Sequence, residues 1–316
     1  MPRYTSPLVA LFVAFIASIA TAEDKPRQPA AYPPMLDGAT VEVYKTIGDV
    51  RLNIYEFFPA EHTANDSRPA IVFFFGGGWR GGSPKQFEQQ CRYLASRGMV
   101  AMTADYRVSS RHGVKAVSCV ADAKSAIRWV RANAERLGVD PQRVVASGGS
   151  AGGHLAACTG TIAKYDESSE DAAISSRPDA MILFNPAVVL APVEGELPLG
   201  DPDTIRQRTG VEPKELSPYH HVAADQPPTL IIHGEADDTV PYKSVERFTA
   251  EMTAAGNRCE LAAYEGAGHG FFNFGRSDNR HFRETTARAD RFLASVGYLE
   301  GEPTVDAFLA GLSDEN

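Results

Sequence analysis

The chain has 316 residues, 43% of them apolar, which is enough to fill the core of one large α/β domain or two small ones. Its 31 Lys and Arg stand against 40 Asp and Glu, a formal charge of −9 with no basic block, which argues against nucleic acid or an anionic membrane as partner. No internal repeat and no low-complexity linker marks a boundary.

In chain order, Arg3 precedes an almost wholly apolar run from Leu8 to Ala20, and Ala20-Thr21-Ala22 gives a small-x-small cleavage pattern. The run is short for a membrane span. Residues 1–22 are therefore expected to be a signal peptide, with an exported mature chain, periplasmic or extracellular, that begins near Glu23. Removing that segment takes away one arginine and no acid, so the formal charge becomes −10 (30 against 40). Residues 23–39 read as an extended lead-in. Val41 to Lys45 and Val50 to Phe58 flank Gly48-Asp49 and predict a hairpin. Ala70 to Phe75 is a wholly apolar run, as in a strand buried on both faces.

Helix and strand patterns then alternate. Helices are expected at Lys85–Arg97, Val117–Leu137, Lys243–Ala255 and Arg283–Val296. Strands are expected at Met99–Ala104, Arg143–Ala146, Asp179–Phe184, Thr229–His233 and Cys259–Tyr264. Such alternation predicts a mostly parallel central sheet with helices on both faces, spanning residues 40–297. Within it, residues 189–225 lack periodicity and read as a cap or substrate-facing loop. Residues 298–316 read as a surface tail. The four cysteines, Cys91, Cys119, Cys158 and Cys259, permit one or two disulfides in an exported chain, and no pairing is favoured. With no CxxC spacing and no His/Cys cluster, neither a metal nor another cofactor is expected.

The chemistry concentrates at GGSAG, residues 148–152, between an expected strand and an expected helix. A serine displayed at such a turn needs a strained backbone, and glycine two residues before and after it avoids collision with neighbouring backbone. The helix start behind Ser150 also aims free N–H groups at a reacting oxygen. Serine needs a base, and the base needs an orienter. Asp237, with Asp238 as a competitor, follows the Thr229–His233 strand, and His269 lies in a glycine loop after the last strand. The order Ser150, Asp237, His269, each past a strand's carboxyl end, suits a serine-hydrolase relay at the rim of an open sheet. Gly76-Gly77-Gly78 after the Ala70–Phe75 strand can point N–H groups of Gly77 and Gly78 at an oxyanion, joined by that of Ala151. Trp79, Phe271 and Phe272 either wall a small acyl pocket or belong to the core.

Together FFGGGW (74–79), DYR (105–107), GGSAGG (148–153), HGEADDTVP (233–241) and GHGF (268–271) resemble the α/β-hydrolase superfamily, and more narrowly its secreted bacterial esterases of the acetyl-xylan and feruloyl esterase-like kind. The resemblance implies Ser150 as nucleophile, His269 as base, Asp237 as orienter, and Gly77, Gly78 and Ala151 as oxyanion donors. The family's HGGG begins with His, whereas Phe75 stands here, which leaves the loop's bracing open. Asp105 and Arg107 read as a structural pair, and His154 as structural. The expected substrate is a small or carbohydrate ester with a short acyl group, acetyl first. An oligopeptidase-like peptidase and a non-catalytic domain of the same fold are the rivals.

Overall fold

The computed structural model describes residues 32–194 and 200–314. The signal peptide expected over 1–22 and most of the lead-in lie outside the described residues. Among the described residues eight strands build one sheet: β1 (Thr40–Ile47), β2 (Val50–Phe57), β3 (Arg68–Phe74), β4 (Val100–Ala104), β5 (Val139–Gly149), β6 (Ala180–Phe184), β7 (Thr229–Gly234) and β8 (Cys259–Tyr264). Their order across the sheet is β1-β2-β4-β3-β5-β6-β7-β8. β2 runs antiparallel to β1 and β4, and the pairings from β4 to β8 are parallel. The apolar runs of β4 and β6 are buried along their whole length, because helices cover both faces of the sheet.

The helices are α1 (Glu88–Ser96), α2 (Ser109–His112), α3 (Ala116–Ala132), α4 (Ala151–Thr161), α5 (Pro202–Thr209), α6 (Tyr242–Ala254), α7 (Arg280–Ser295) and α8 (Val305–Asp314). One core lies under α3, α4 and α6, where Ile127, Leu155 and Phe248 meet the Ala70, Val72 and Phe74 face of β3. A second core lies under α1, α7 and α8, where Cys91, Phe292 and Val305 meet the Ile71 and Phe73 face. Alternate residues of one strand thus feed both cores, as the period of two requires.

One expected element needs correction, and two segments gain detail. The helix expected to reach Leu137 stops at Ala132: Asn133 leaves helical geometry at φ −107° and ψ 11°, the Ala134 N–H turns to the Arg131 carbonyl, and the Asn133 side chain adds a 2.8 Å bond to the Trp129 carbonyl. The aperiodic 189–225 excursion holds α5 and two 3₁₀ turns, Pro213–Leu216 and Pro218–His221, and anchors itself through buried Ile205 and Leu216. The tail after Gly297, expected as a surface appendage, is anchored: Leu299 and Val305 are buried, and Phe308 and Leu309 of α8 pack against the second core. All four cysteines are free thiols.

The chain leaves β3 toward β4 on one side and β5 lies on the other, so β3 and β5 flank a topological switch point. A crevice opens there beyond the strands' carboxyl ends, where open α/β sheets bind ligands.

Candidate active site

Ser150 stands between β5 and α4 with φ 55° and ψ −117°, a conformation that costs a non-glycine residue about 1–3 kcal/mol. The surroundings enforce it. Ser150 N–H donates to the Phe184 carbonyl at 2.8 Å, and the Ser150 carbonyl accepts from His154 N–H at 2.9 Å. A Cβ on Gly148 would lie 2.6 Å from the Gly152 carbonyl, and one on Gly152 would overlap the carbonyls of Phe74 and Phe75. The glycines around the serine let β5 and α4 close on β3.

His269, after β8, brings Nε2 within 2.9 Å of Ser150 Oγ, and its Nδ1 lies 2.7 Å from Asp237 Oδ2. Asp237 follows β7, with its side chain fully buried, while His269 keeps 23% of its side chain open to the crevice. Burial opposes ionisation of Asp237, but the His269 hydrogen bond and the N–H groups of Val240 and Thr239 outweigh it and hold the carboxyl below its usual range. An ionised Asp237 makes Nδ1 the donor, which leaves Nε2 free to accept the serine proton. Asp238 is exposed and, among the described residues, bonds only Thr239 Oγ1, at 3.4 Å, so the fold brings Asp237, not Asp238, to the histidine.

The loop after β3 supplies the opposite wall. Gly77 takes φ 120°, where a Cβ would also strike the Gly81 carbonyl, so the position requires glycine. Among the described residues, the N–H groups of Gly77, Gly78 and Ala151 bond no other group, and all three residues line a cavity of about 760 Å³ that also contains Ser150 and His269. Donors of this kind beside a nucleophile are what a tetrahedral oxyanion requires. The missing loop histidine is replaced by stacking: the Phe75 ring lies 4.1 Å from that of Tyr106, whose hydroxyl donates to the Phe75 carbonyl at 2.7 Å.

Of the aromatic residues singled out in the sequence, Trp79 borders the cavity, but it is 3% exposed and donates from Nε1 to His154 Nδ1 at 3.2 Å. His154 Nε2–H donates in turn to the Leu216 carbonyl at 2.7 Å; burial, opposed by that bond, lowers its pKa to about 4, so it is a neutral brace. Phe271 is not on the cavity wall: it packs on Tyr264 and His281, and Phe272 takes the wall position. Asp105 and Arg107 do not pair with each other. Arg107 grips Asp122 at 2.8 Å through both Nε and Nη2, while Asp105 caps Tyr106 N–H at 2.8 Å.

Sequence reading missed three side chains. Asn185, buried after β6, donates from Nδ2 to Asp237 Oδ2 at 3.0 Å and accepts from Gly270 N–H at 3.2 Å. A polar residue at a buried strand's carboxyl end, ahead of Pro186, was the available signal. Gln86 accepts from Gly76 N–H at 2.6 Å and donates to Asn273 Oδ1 at 2.9 Å, and Asn273 donates to the Gly270 carbonyl at 2.7 Å. That chain of bonds ties the glycine loop to the His269 loop. The third is Arg208, on α5, which reaches the cavity from the cap segment.

Residues 71–273 match the family described as alpha/beta hydrolase fold. The chain belongs to this family. The esterase LipC of Mycobacterium tuberculosis is 30% identical over 252 residues, which are 71% of this chain and 58% of LipC. Carboxylesterase NlhH of the same organism is 28% identical over 251 residues, 73% of this chain and 74% of that protein. The chain thus spans little more than half the length of the first of these relatives. Among solved structures, esterase 2 of Thermogutta terrifontis phosphonylated by sarin is 55% identical, with a TM-score of 0.84 over 86% of this alpha/beta hydrolase and 100% of that chain. The butyrate-bound form of that esterase is likewise 55% identical, with a TM-score of 0.83 over 87% and 100%.

Proposed function

We propose that this alpha/beta hydrolase is a serine carboxylic-ester hydrolase that works through an acyl-enzyme. Ser150 Oγ attacks the ester carbonyl while His269 Nε2 takes its proton. The N–H groups of Gly77, Gly78 and Ala151 receive the oxyanion, and His269 returns the proton to the leaving alcohol. Water, activated by the same histidine, then releases the acid and regenerates Ser150. The observation that carries this reading is the unbroken relay from Ser150 Oγ to His269 at 2.9 Å and on to Asp237 at 2.7 Å, facing free backbone donors across one cavity.

Relatives named as esterases support ester over peptide as the substrate bond. Phe272 and Trp79 line the cavity, and structures of the Thermogutta esterase are described as propionate-bound and butyrate-bound, which favours short acyl groups. Acetyl esters of carbohydrate are our first substrate class, in keeping with the resemblance to secreted acetylesterases. Export rests on the apolar Leu8–Ala20 run and the Ala20-Thr21-Ala22 site. The test is a 4-nitrophenyl ester series from acetate to octanoate, with acetylated sugars, aminoacyl-nitroanilides and Ser150→Ala alongside. Hydrolysis that peaks at short acyl groups, spares the anilides and vanishes in the alanine variant is expected. Turnover confined to acyl chains of butyrate and longer overturns the acetyl preference, and full activity of Ser150→Ala overturns the mechanism.

A further inference from the structure

The cavity carries a charge opposite to that of the protein around it. Arg208 and Arg276 both line it, and among the described residues no Asp or Glu does, since Asp237 lies fully buried behind His269. Arg208 Nη2 donates to the Gly78 carbonyl at 3.1 Å, its guanidinium lies 5.0 Å over the Trp79 ring, and its buried Nε has no partner among the described residues. Arg276 Nη1 donates to the His269 carbonyl at 3.3 Å. The two cations therefore sit at the two loops that hold the reacting groups, one on the oxyanion side and one on the histidine side.

Elsewhere the chain neutralises its partly buried arginines. Arg97 meets Asp290 at 2.7 Å, Arg107 meets Asp122 at 2.8 Å, and Arg128 meets Glu170 at 2.6 Å. Among the described residues no carboxylate lies within 4.0 Å of Arg208, Arg276 or the neighbouring Arg80. Burial, and after it Arg80, lower the Arg208 pKa, so its surroundings work against the charge instead of supporting it. Arg208 is half-buried, and a partly desolvated cation without a counter-ion is costly, so a ligand that brings the counter-ion recovers that cost, while Arg276 is exposed and adds its charge at the rim. The carbonyl and aromatic contacts hold the guanidinium in place and leave donors over for such a ligand.

We infer that the physiological substrate is an anionic ester, one bearing a carboxylate or a comparable acidic group that Arg208 and Arg276 receive beside the scissile bond. The inference rests on the ester-hydrolase reading and narrows its substrates to acidic esters. His269 hands its proton to the leaving alcohol, so an anion held by Arg276 belongs on the alcohol side, whereas Arg208 serves a group lodged beside Gly78.

Two matched pairs of esters test the inference with the full chain. In 4-acetoxybenzoate against its methyl ester the charge is on the alcohol, and in mono(4-nitrophenyl) glutarate against its methyl ester it is on the acyl group. With each kcat/KM divided by the second-order rate constant for hydroxide hydrolysis, which excludes attack by the glutarate's own carboxylate, the anionic member of at least one pair should lead by about tenfold at low salt. The ratio should fall toward one in about 1 M NaCl, where the Debye length is about 3 Å. Arg208→Gln keeps a donor for the Gly78 carbonyl, and Arg276→Gln changes an exposed side chain. Each should lower the anionic-to-neutral ratio whatever happens to the absolute rate. Equal or better turnover of the neutral member in both pairs, or a ratio unmoved by both substitutions, overturns the inference and leaves the esterase intact. Failure to hydrolyse any of the four overturns the ester-hydrolase reading itself.

Discussion

Exchanging Asp237 for Asn removes one charge and no volume, and the surrounding donors dictate how the amide sits. Asp237 Oδ1 accepts backbone N–H groups from Thr239 at 2.9 Å and Val240 at 2.8 Å. An asparagine at 237 keeps its carbonyl oxygen there and must turn its NH₂ to the place of Oδ2. At that place it meets Asn185 Nδ2, 3.0 Å from the original oxygen, and His269 Nδ1, 2.7 Å from it. Asn185 cannot rotate its donor away without losing the bond its Oδ1 accepts from Gly270. The histidine relieves its own clash by carrying its proton on Nε2, which then donates to Ser150 Oγ and can no longer accept the serine's proton. A tautomer inverted in this way costs on the order of 10⁴ in kcat, or about 5.5 kcal/mol of barrier. KM should change little, because Asp237 does not line the cavity. Asp238→Asn, at an exposed position, should leave kcat within twofold and stability within about 0.5 kcal/mol. Steady-state hydrolysis of 4-nitrophenyl acetate reads both variants, and near-UV circular dichroism checks that the fold survives. If Asp237→Asn keeps more than a tenth of kcat, or Asp238→Asn loses as much as its neighbour, the relay argument fails.

Gln86→Ala cuts the bridge between the glycine loop and the His269 loop, so kcat should fall about 10- to 100-fold, as a misplacement on the order of 1 Å at the reacting groups costs, with little change in melting temperature; an unchanged kcat would show that the loops hold themselves. Glu56 is fully buried on β2, both its carboxylate oxygens have no hydrogen-bond partner among the described residues, and burial, then Glu42, raises its pKa from 4.5 to about 8 against the opposing pull of Arg136. Its folded pKa exceeds the unfolded one, so the folded chain holds a proton that the unfolded chain releases, and stability falls as pH rises from about 4.5 through 8. The accumulated cost above pH 8 is roughly 5 kcal/mol. Glu56→Gln should therefore raise the melting temperature by roughly 10 °C at pH 9 and by only a degree or two at pH 5; calorimetry that finds the same difference at both values refutes the assignment of a neutral Glu56.

The sequence alone carried the alternation of buried strands and amphipathic helices, the glycines that crowd around Ser150, and the chain order of Ser150, Asp237 and His269 at strand ends. Each of these is local: a period, a turn or a strand boundary leaves its mark on adjacent residues. The choice of Asp237 over Asp238 came only with the tertiary structure, because it depends on where β7 lies relative to β8 and which carboxyl the Thr239 and Val240 N–H groups capture. The same holds for Phe271 and Phe272: in a loop no period assigns a side, and only the packing of Tyr264, His281 and Phe87 decided which ring reaches the cavity. The roles of Asn185, Gln86 and Arg208 came from the tertiary structure for the same reason, although Asn185 left the mark of a polar residue at a buried strand's end. Their partners lie 52, 187 and 130 residues away in the chain, and only the order of strands in the sheet brings them together.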